Sequence, residues 1–240
     1  MFFAAANIGL LAFGNTGYGD ELFWGAVRTV QIAVFAYAFG IILGLCGAMG
    51  KLSGGKTLRV VLDLYTTLFR AVPELVLILL LYYAGTDSLN KLVTSLGFER
   101  IELNGLVAAV FVLGFVQGAY QTEVLRAAIQ AVPVGQTEAG KAYGMSPFLR
   151  FRRITLPAML PYAIPGLGNL WLGIVKNSSL IAVVGFTELA LATRQAAGVS
   201  KQYLLFFLVA ASVYLAITLL SNQLFGWLER RVRRGQPKLA

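Results

Sequence analysis

The sequence predicts an all-α membrane protein in which five helices cross the bilayer. Of its 240 residues, 58% are hydrophobic and 13% are charged, and the mean hydropathy is +0.72. This composition is typical of polytopic membrane proteins and not of soluble domains. Five segments are long and apolar enough to span a hydrocarbon core, which requires about 20 residues per helix. The cations lie mainly in short loops beside these segments, as the positive-inside rule describes.

The five predicted spans form one transmembrane domain that accounts for residues 1–240. They cover approximately residues 23–49, 60–84, 103–129, 158–186 and 203–228. No internal repeat and no extramembrane domain is evident in the sequence. The apolar N-terminal stretch has no basic region before it, so we expect it to be retained and not cleaved as a signal peptide.

Charge in the loops predicts the orientation of the chain. The loop at 51–59 carries three cations and no acid, and the C-terminal tail carries Arg230, Arg231, Arg233 and Arg234. The segment at 85–102 is more acidic, and the loop at 187–202 is nearly balanced. With five spans, this pattern places the N-terminus outside and the C-terminus in the cytoplasm.

Several classes of function lose support from what the sequence lacks. The net charge of +9 is spread over loops and the tail, so it does not indicate a nucleic-acid-binding face. The only cysteine, Cys46, lies in an apolar run, and the chain has no histidine. We therefore predict no disulfide, no metal site and no enzymatic activity. No GxxxxGK[ST] motif occurs, so the chain is not expected to bind ATP by that route.

The most polar and basic stretch between spans is AVPVGQTEAGKAYGMSPFLRFRRITLP, residues 131–157. It predicts a cytoplasmic helical hairpin at 133–156. Thr137 is the expected N-cap of a first helix at 138–143, and Gly144 is its expected end. Ser146-Pro147 starts a second, basic helix that Leu156-Pro157 should end. Either a soluble partner docks on this hairpin or the hairpin contacts only lipid headgroups.

Polar side chains also occur inside the predicted spans, where they are costly and so are candidates for a transport route. In the second span Arg70 and Glu74 flank Pro73, which predicts a kink or a break. These two side chains either line a cavity or neutralise each other at a spacing of four residues.

The third and fourth spans contribute further candidates. Tyr120 and Glu123 lie in the third span, where Glu123 either binds a cationic substrate group or pairs with Arg126. Asn169 and Lys176 lie in the fourth span, after three prolines spaced at intervals of four residues. Lys176 either meets a substrate carboxylate, snorkels to the interface or pairs with an acid of a neighbouring helix.

The hairpin resembles the cytoplasmic loop signature of ATP-binding-cassette (ABC) importer permeases. The resemblance rests on the order Glu138, Ala139, Gly140, Gly144, then Ile154, Leu156 and Pro157, with Gly140 where the family more often has alanine. The stretches FRAVPELVLILLLYYAG, GAYQTEVLRAAIQAVPVG and KNSSLIAVVG are similar to the polar amino acid branch. Within that branch the chain is most similar to Q-type subunits of histidine/lysine/arginine/ornithine or opine importers.

The resemblance implies a type I importer with a MetI-like fold in the bacterial inner membrane. Such an importer has two permease subunits, here expected to be this chain and a related M-type subunit. Two ATPase subunits bind ATP and Mg²⁺, and an extracytoplasmic binding protein delivers the amino acid. Glu138, Ala139, Gly140 and Gly144 are then the coupling residues. The alternative is a stand-alone ion-coupled secondary transporter, which would favour an inverted repeat that the sequence lacks.

Overall fold

The computed structural model describes residues 8–14, 17–100 and 105–233. The first seven residues, Glu102, the start of the third predicted span at 103–104 and Arg234 lie outside this part. Within it the regular structure is helical, with no strand, which confirms the predicted all-α class. The α-helices are α1 (Gly19–Ser53), α2 (Lys56–Ala71), α3 (Glu74–Ser95), α4 (Gly105–Gln130), α5 (Val134–Ala142), α6 (Pro147–Arg150), α7 (Leu156–Asn177), α8 (Leu189–Ser200) and α9 (Tyr203–Val232).

Five helical segments of the described residues are long and apolar enough to cross a membrane, the number predicted. They are Gly19–Ser53, Glu74–Ser95, Gly105–Gln130, Pro147–Val184 and Tyr203–Val232. The fourth is composite, because a π-helical turn (Phe151–Thr155) joins α6 to α7 and a 3-10 helix (Ser178–Val184) follows α7. That these segments cross a bilayer five times, with the N-terminus outside, stays a prediction.

The second predicted span, at 60–84, is broken at Pro73, as the sequence predicts, and forms two helices. The chain breaks between α2 and α3, where Val72 is extended with ψ 138° and Pro73 precedes the first residue of α3. Proline has no N–H to donate, and it disfavours helical conformation in the residue before it. Helix α3 also continues to Ser95, beyond the predicted end at 84. An ion pair of 2.6 Å between Asp87 and Lys91 links adjacent turns of this extension.

The hairpin differs from its prediction at both ends. Helix α5 begins at Val134, with Pro133 at the N-cap, and Thr137 instead donates a hydrogen bond to the Val134 carbonyl. Leu156-Pro157 does not end the second helix, which runs through the π-helical turn into α7. In that turn the Leu156 N–H reaches back five residues to the Phe151 carbonyl. A π turn accommodates Pro157, whose nitrogen cannot join the ordinary ladder.

The loop predicted at 187–202 is in fact largely helix α8. Its buried side chains recur at spacings of three and four residues, namely Leu189, Ala192, Thr193, Ala196 and Ala197. Because most of them are alanine, their hydropathy is too low to suggest a helix, although their spacing is helical. Leu189, Ala196 and Ala197 pack with Leu22 of α1 and with Phe206 and Ala210 of α9. The predicted fourth span at 158–186 accordingly ends as an α-helix at Asn177.

Helices α1 and α4 form the most extensively packed pair of the bundle. Gly40, Gly44 and Gly47 of α1 face Gln121 and Thr122 of α4. A Cβ atom at Gly44 would lie 2.8 Å from the Gln121 Cβ and 3.0 Å from its carbonyl carbon. The two backbones therefore approach as closely as glycine allows, as in other small-residue contacts of membrane helices. Helix α7 packs on both members of this pair.

We predict that Gly44→Ala lowers the stability of the protein by about 1–3 kcal/mol, because the added methyl group overpacks the contact with α4. The measurement is the thermal unfolding midpoint in detergent. Gly198→Ala in α8 is the matched control, since a Cβ there meets no atom within 4 Å. Equal midpoints for the two variants would contradict close packing of α1 on α4.

Candidate functional site

The hairpin presents the four predicted coupling residues in two different ways. Glu138 and Ala139 are exposed on α5, and Gly140 is buried beneath them. A Cβ atom at Gly140 would lie 2.6 Å from Ile154 Cδ1 and 3.3 Å from Arg150 Cγ. The missing side chain thus lets α5 lie directly on the second arm of the hairpin. A push on α5 would therefore reach α6 and the π-helical turn with little intervening slack.

Gly144 ends α5 as the sequence predicts. Its φ is +71°, in the left-handed region, which glycine adopts with no steric cost. The Gly144 N–H donates to the Lys141 carbonyl at 2.9 Å and the Met145 N–H to the Gly140 carbonyl at 3.0 Å. Ser146 begins the second arm as its N-cap, since its hydroxyl accepts a hydrogen bond from the Leu149 N–H. Both predicted turn signals are confirmed.

Three apolar side chains of the hairpin have little contact with the rest of the chain. Val134 is 67% exposed, Tyr143 is 85% exposed and Phe148 is 73% exposed. Val134 begins α5, Tyr143 directly follows it, and Phe148 is the second residue of α6. Large apolar groups exposed together on an otherwise polar element are typical of a protein contact surface.

In the membrane-spanning part, Glu74 and Asn177 meet across the gap between α3 and α7. The Asn177 amide donates a hydrogen bond to Glu74 Oε2. Glu74 lies in the first turn of α3, where free backbone N–H groups favour a negative charge. Asn177 ends α7 just before the 3-10 helix. The break in the second predicted span therefore places the Glu74 carboxylate beside the C-terminal end of α7.

No ion pair joins Arg70 to Glu74 in the part of the chain that the structure describes. The helical spacing that would align them is lost at Val72-Pro73. The Arg70 guanidinium instead lies over the ring of Tyr120, 5.9 Å from its centroid. Asn169 and Lys176 are exposed on one face of α7, two turns apart. Among the described residues, neither has a side-chain hydrogen bond or ion pair.

Glu123 lies apart from this group, near the C-terminal end of α4. Its Oε1 accepts from Lys51 Nζ at 2.6 Å, and its Oε2 accepts from Arg126 Nε and Nη2 at 3.1 and 2.8 Å. Lys51 is 7% exposed and was considered in the sequence only as a loop cation. Because Lys51 directly follows an apolar run, its position in the sequence could have indicated a buried cation with a partner on another helix.

A second polar network that the sequence did not reveal surrounds Glu188. This carboxylate is fully buried and caps α8 by accepting from the N–H groups of Ala190 and Leu191 at 2.9 and 3.0 Å. The hydroxyls of Thr29 in α1 and Tyr214 in α9 each donate to Glu188 Oε2 at 3.1 Å. Glu188 thus joins α8 to α1 and α9.

Within residues 8–14, 17–100 and 105–233 no group of three or more histidine, cysteine, aspartate or glutamate side chains could hold a metal ion. The site consists of a basic hairpin with an exposed apolar rim and of a polar group between membrane-spanning helices.

Residues 36–234 match the family described as the binding-protein-dependent transport system inner membrane component. The chain belongs to this family.

Curated relatives within the family are similar along nearly the whole chain. The nopaline transport system permease protein NocQ of Agrobacterium fabrum is 42% identical over 95% of this chain and 98% of its own length. The histidine/lysine/arginine/ornithine transport system permease protein HisQ of Escherichia coli is 38% identical over 91% and 96%. The octopine transport system permease protein OccQ of Rhizobium meliloti is 39% identical over 94% and 96%. The predicted resemblance is confirmed.

Solved structures of this family share the fold. The crystal structure of an amino acid ABC transporter with histidines matches with a TM-score of 0.74 and 28% identity, covering 89% of this chain and 95% of that one. An inward-facing structure of the MetNI methionine ABC transporter matches with a TM-score of 0.67 over 87% and 96% of the two chains. Its identity of 19% supports the fold alone. The predicted type I importer fold is confirmed.

The Glu188 network yields a prediction about stability. Glu188→Gln should destabilise the protein by about 1–3 kcal/mol, because the amide NH2 would face N–H or O–H groups whose hydrogen bonds the carboxylate now accepts. Thermal unfolding in detergent measures the effect. Glu138→Gln makes the same change at an exposed carboxylate and should leave the midpoint unchanged. Equal midpoints would show that Glu188 does not hold the three helices together.

Proposed function

We propose that the chain is the permease subunit of an ATP-driven importer of polar amino acids or opines. It would pass the bacterial inner membrane several times, with the hairpin on the cytoplasmic side. The observation that carries this proposal is the hairpin itself, which combines the coupling signature with exposed apolar side chains at its rim. Similarity to permeases of histidine/lysine/arginine/ornithine and opine transport systems along more than nine-tenths of the chain supports the same function.

The hairpin would transmit movement from an ATPase to the spanning helices. Glu138, Ala139 and the turn at Gly144 would lie in a groove of the ATPase, together with the exposed Tyr143 and Phe148. Because Gly140 has no side chain, α5 lies directly against Ile154, so displacement of α5 would carry the second arm with it. That arm is continuous with α7, which ends at Asn177 beside Glu74. The hairpin would thus act as a lever on a helix bundle with two arrangements.

The remaining subunits follow from the proposed mechanism. Two ATPase subunits would bind ATP and Mg²⁺, and this chain would bind no cofactor and catalyse no reaction itself. A second permease subunit would complete the route through the membrane. Similarity to Q-type subunits supports a heterodimer with an M-type subunit, and two copies of this chain are the alternative. A periplasmic binding protein would deliver the amino acid.

The substrate route would follow the polar side chains between the spanning helices. Glu74 would bind the cationic group of a basic amino acid, a charge-assisted contact that strengthens away from water. Lys176, whose ammonium has no partner among the described residues, would bind a substrate carboxylate. Arg70, Tyr120 and Asn169 would line the same route. Glu123 already has two cationic partners, so it fits the inner end of the route better than a primary substrate contact.

We predict that Gly144→Arg uncouples transport from ATP hydrolysis, because it adds a bulky cation to the docking turn and strains a positive φ. Substrate uptake per ATP hydrolysed by the complex in proteoliposomes should fall severalfold. Gly97→Arg is the matched control, since Gly97 also has a positive φ of 84° and open surroundings at the end of α3 remote from the hairpin. Equal uptake ratios in the two variants would count against docking by the hairpin.

We also predict that Glu74→Gln raises the KM for basic amino acids by about 10-fold or more, the value of one charge-assisted contact, with a smaller effect on neutral ones. Uptake and substrate-stimulated ATPase activity of the co-purified complex test this with a panel of amino acids and opines. Asp87→Asn, at an exposed carboxylate of the same helix, is the control. Uptake by the chain with no ATPase present would instead favour an ion-coupled secondary transporter.

A further inference from the structure

Lys51 is a buried cation at the inner end of α1 that binds two other helices. Its Nζ lies 2.6 Å from Thr66 Oγ1 and 2.8 Å from Asp63 Oδ1, both in α2. It also lies 2.6 Å from Glu123 Oε1 in α4. An ammonium group has three N–H donors, so these three partners use its full capacity. A lysine is rarely buried unless its charge is satisfied in this way.

The attachment of α2 to the bundle depends heavily on this cluster. Thr66 is the one buried residue of α2, and the large apolar side chains that α2 exposes are Leu58, Val60, Val61, Leu64 and Leu68. The adjacent Tyr65 donates a hydrogen bond to the Phe115 carbonyl of α4 at 2.6 Å. The Arg59 Nε donates to the Lys51 carbonyl at 3.1 Å. Polar contacts therefore fix the position of α2 more than apolar burial does.

The two helices joined by Lys51 lead to the two parts of the proposed machinery. From Glu123, α4 continues for about 10 Å to Gln130, and after three intervening residues α5 begins the hairpin. From Thr66, α2 continues for about 9 Å to the break at Val72-Pro73, directly before Glu74. The cluster is thus a charged link between the helix that enters the hairpin and the helix that precedes the candidate substrate contact, beside the neutral hydrogen bond from Tyr65 to Phe115.

The cluster also has room to rearrange. A cavity of about 510 Å³ adjoins it, lined by Lys51, Arg59, Asp63, Glu123, Arg126 and Gln130. The side chain of Asp63 is 58% exposed, whereas that of Glu123 is 19% exposed. Movement of α2 relative to α4 would therefore change the Lys51 to Asp63 contact without forcing side chains to overlap.

We infer that Lys51 is a positioning residue that makes α2, and with it Glu74, follow the movement of α4 when the hairpin is displaced. This inference rests on the proposed function. The hairpin then acts on both sides of the substrate contact: through α7 on Asn177 and through α4, Lys51 and α2 on Glu74. Loss of the Lys51 to Asp63 ion pair would loosen the attachment of α2, which would keep the contacts of Thr66 and Tyr65. Helix α2 would then follow α4 less closely, so ATP would be hydrolysed with less transport.

Asp63→Asn in the complete importer in proteoliposomes tests this link, because the exposed side chain can be changed without leaving an unpaired buried carboxylate. We expect substrate uptake per ATP to fall by about 2- to 30-fold, the usual range for mutations along a coupling network. The thermal midpoint and the ATPase rate should stay close to wild type. Asp63→Glu, which keeps the charge, should restore most of the ratio.

Asp87→Asn is the matched control, since Asp87 is similarly exposed at 62% but pairs with Lys91 of its own helix. A ratio for Asp63→Asn equal to that of Asp87→Asn or of wild type would overturn the inference. So would a fall in uptake that merely follows a lower thermal midpoint. Absence of ATP-dependent uptake by the wild-type complex would instead overturn the proposed function, so the two failures are distinguishable. Lys51→Met should give a larger loss than Asp63→Asn.

Discussion

The close approach of α1 and α4 is the constraint on which the rest of the structure depends. Lipid supplies no hydrophobic drive for helices to associate, so their contact must come from packing and from polar bonds. Gly40, Gly44 and Gly47 let Gln121 and Thr122 of α4 reach the backbone of α1. Helix α7 then binds to this pair through the Tyr37 hydroxyl and the Gln117 amide, which donate to the carbonyls of Leu167 and Leu170 at 2.8 and 3.0 Å.

Charged side chains hold the remaining helices at the two ends of that central pair. Lys51 fixes α2 at the C-terminal end of α1, and Glu188 joins α8 and α9 to the N-terminal half of α1. Each group is buried and each is satisfied by partners from more than one helix, as burial of a charge requires. Glu74, Asn177 and Lys176 belong to neither group, and each has part of its surface exposed.

Local sequence signals predicted much of this arrangement. Apolar length gave the number of long helices, Pro73 indicated the break, and Gly144 and Ser146-Pro147 indicated the hairpin. Each of these signals acts on the backbone within a few residues of its own position. Contacts between distant residues were not predictable in this way. Lys51 meets a partner 72 residues away, and Glu188 meets one 159 residues away. Helix α8 was missed because alanine gives it little hydropathy. Thr137 was wrongly predicted as an N-cap because α5 already begins at Val134, after Pro133.

The π-helical turn at Phe151–Thr155 fixes how the hairpin is oriented about the axis of α7. Such a turn holds one residue more than an α-helical turn, and one residue corresponds to about 100° of rotation. Deleting a single residue there would swing the basic arm to another side of the bundle while leaving the length of the span nearly the same. The direction in which the hairpin projects from the bundle therefore depends on one additional residue in this turn.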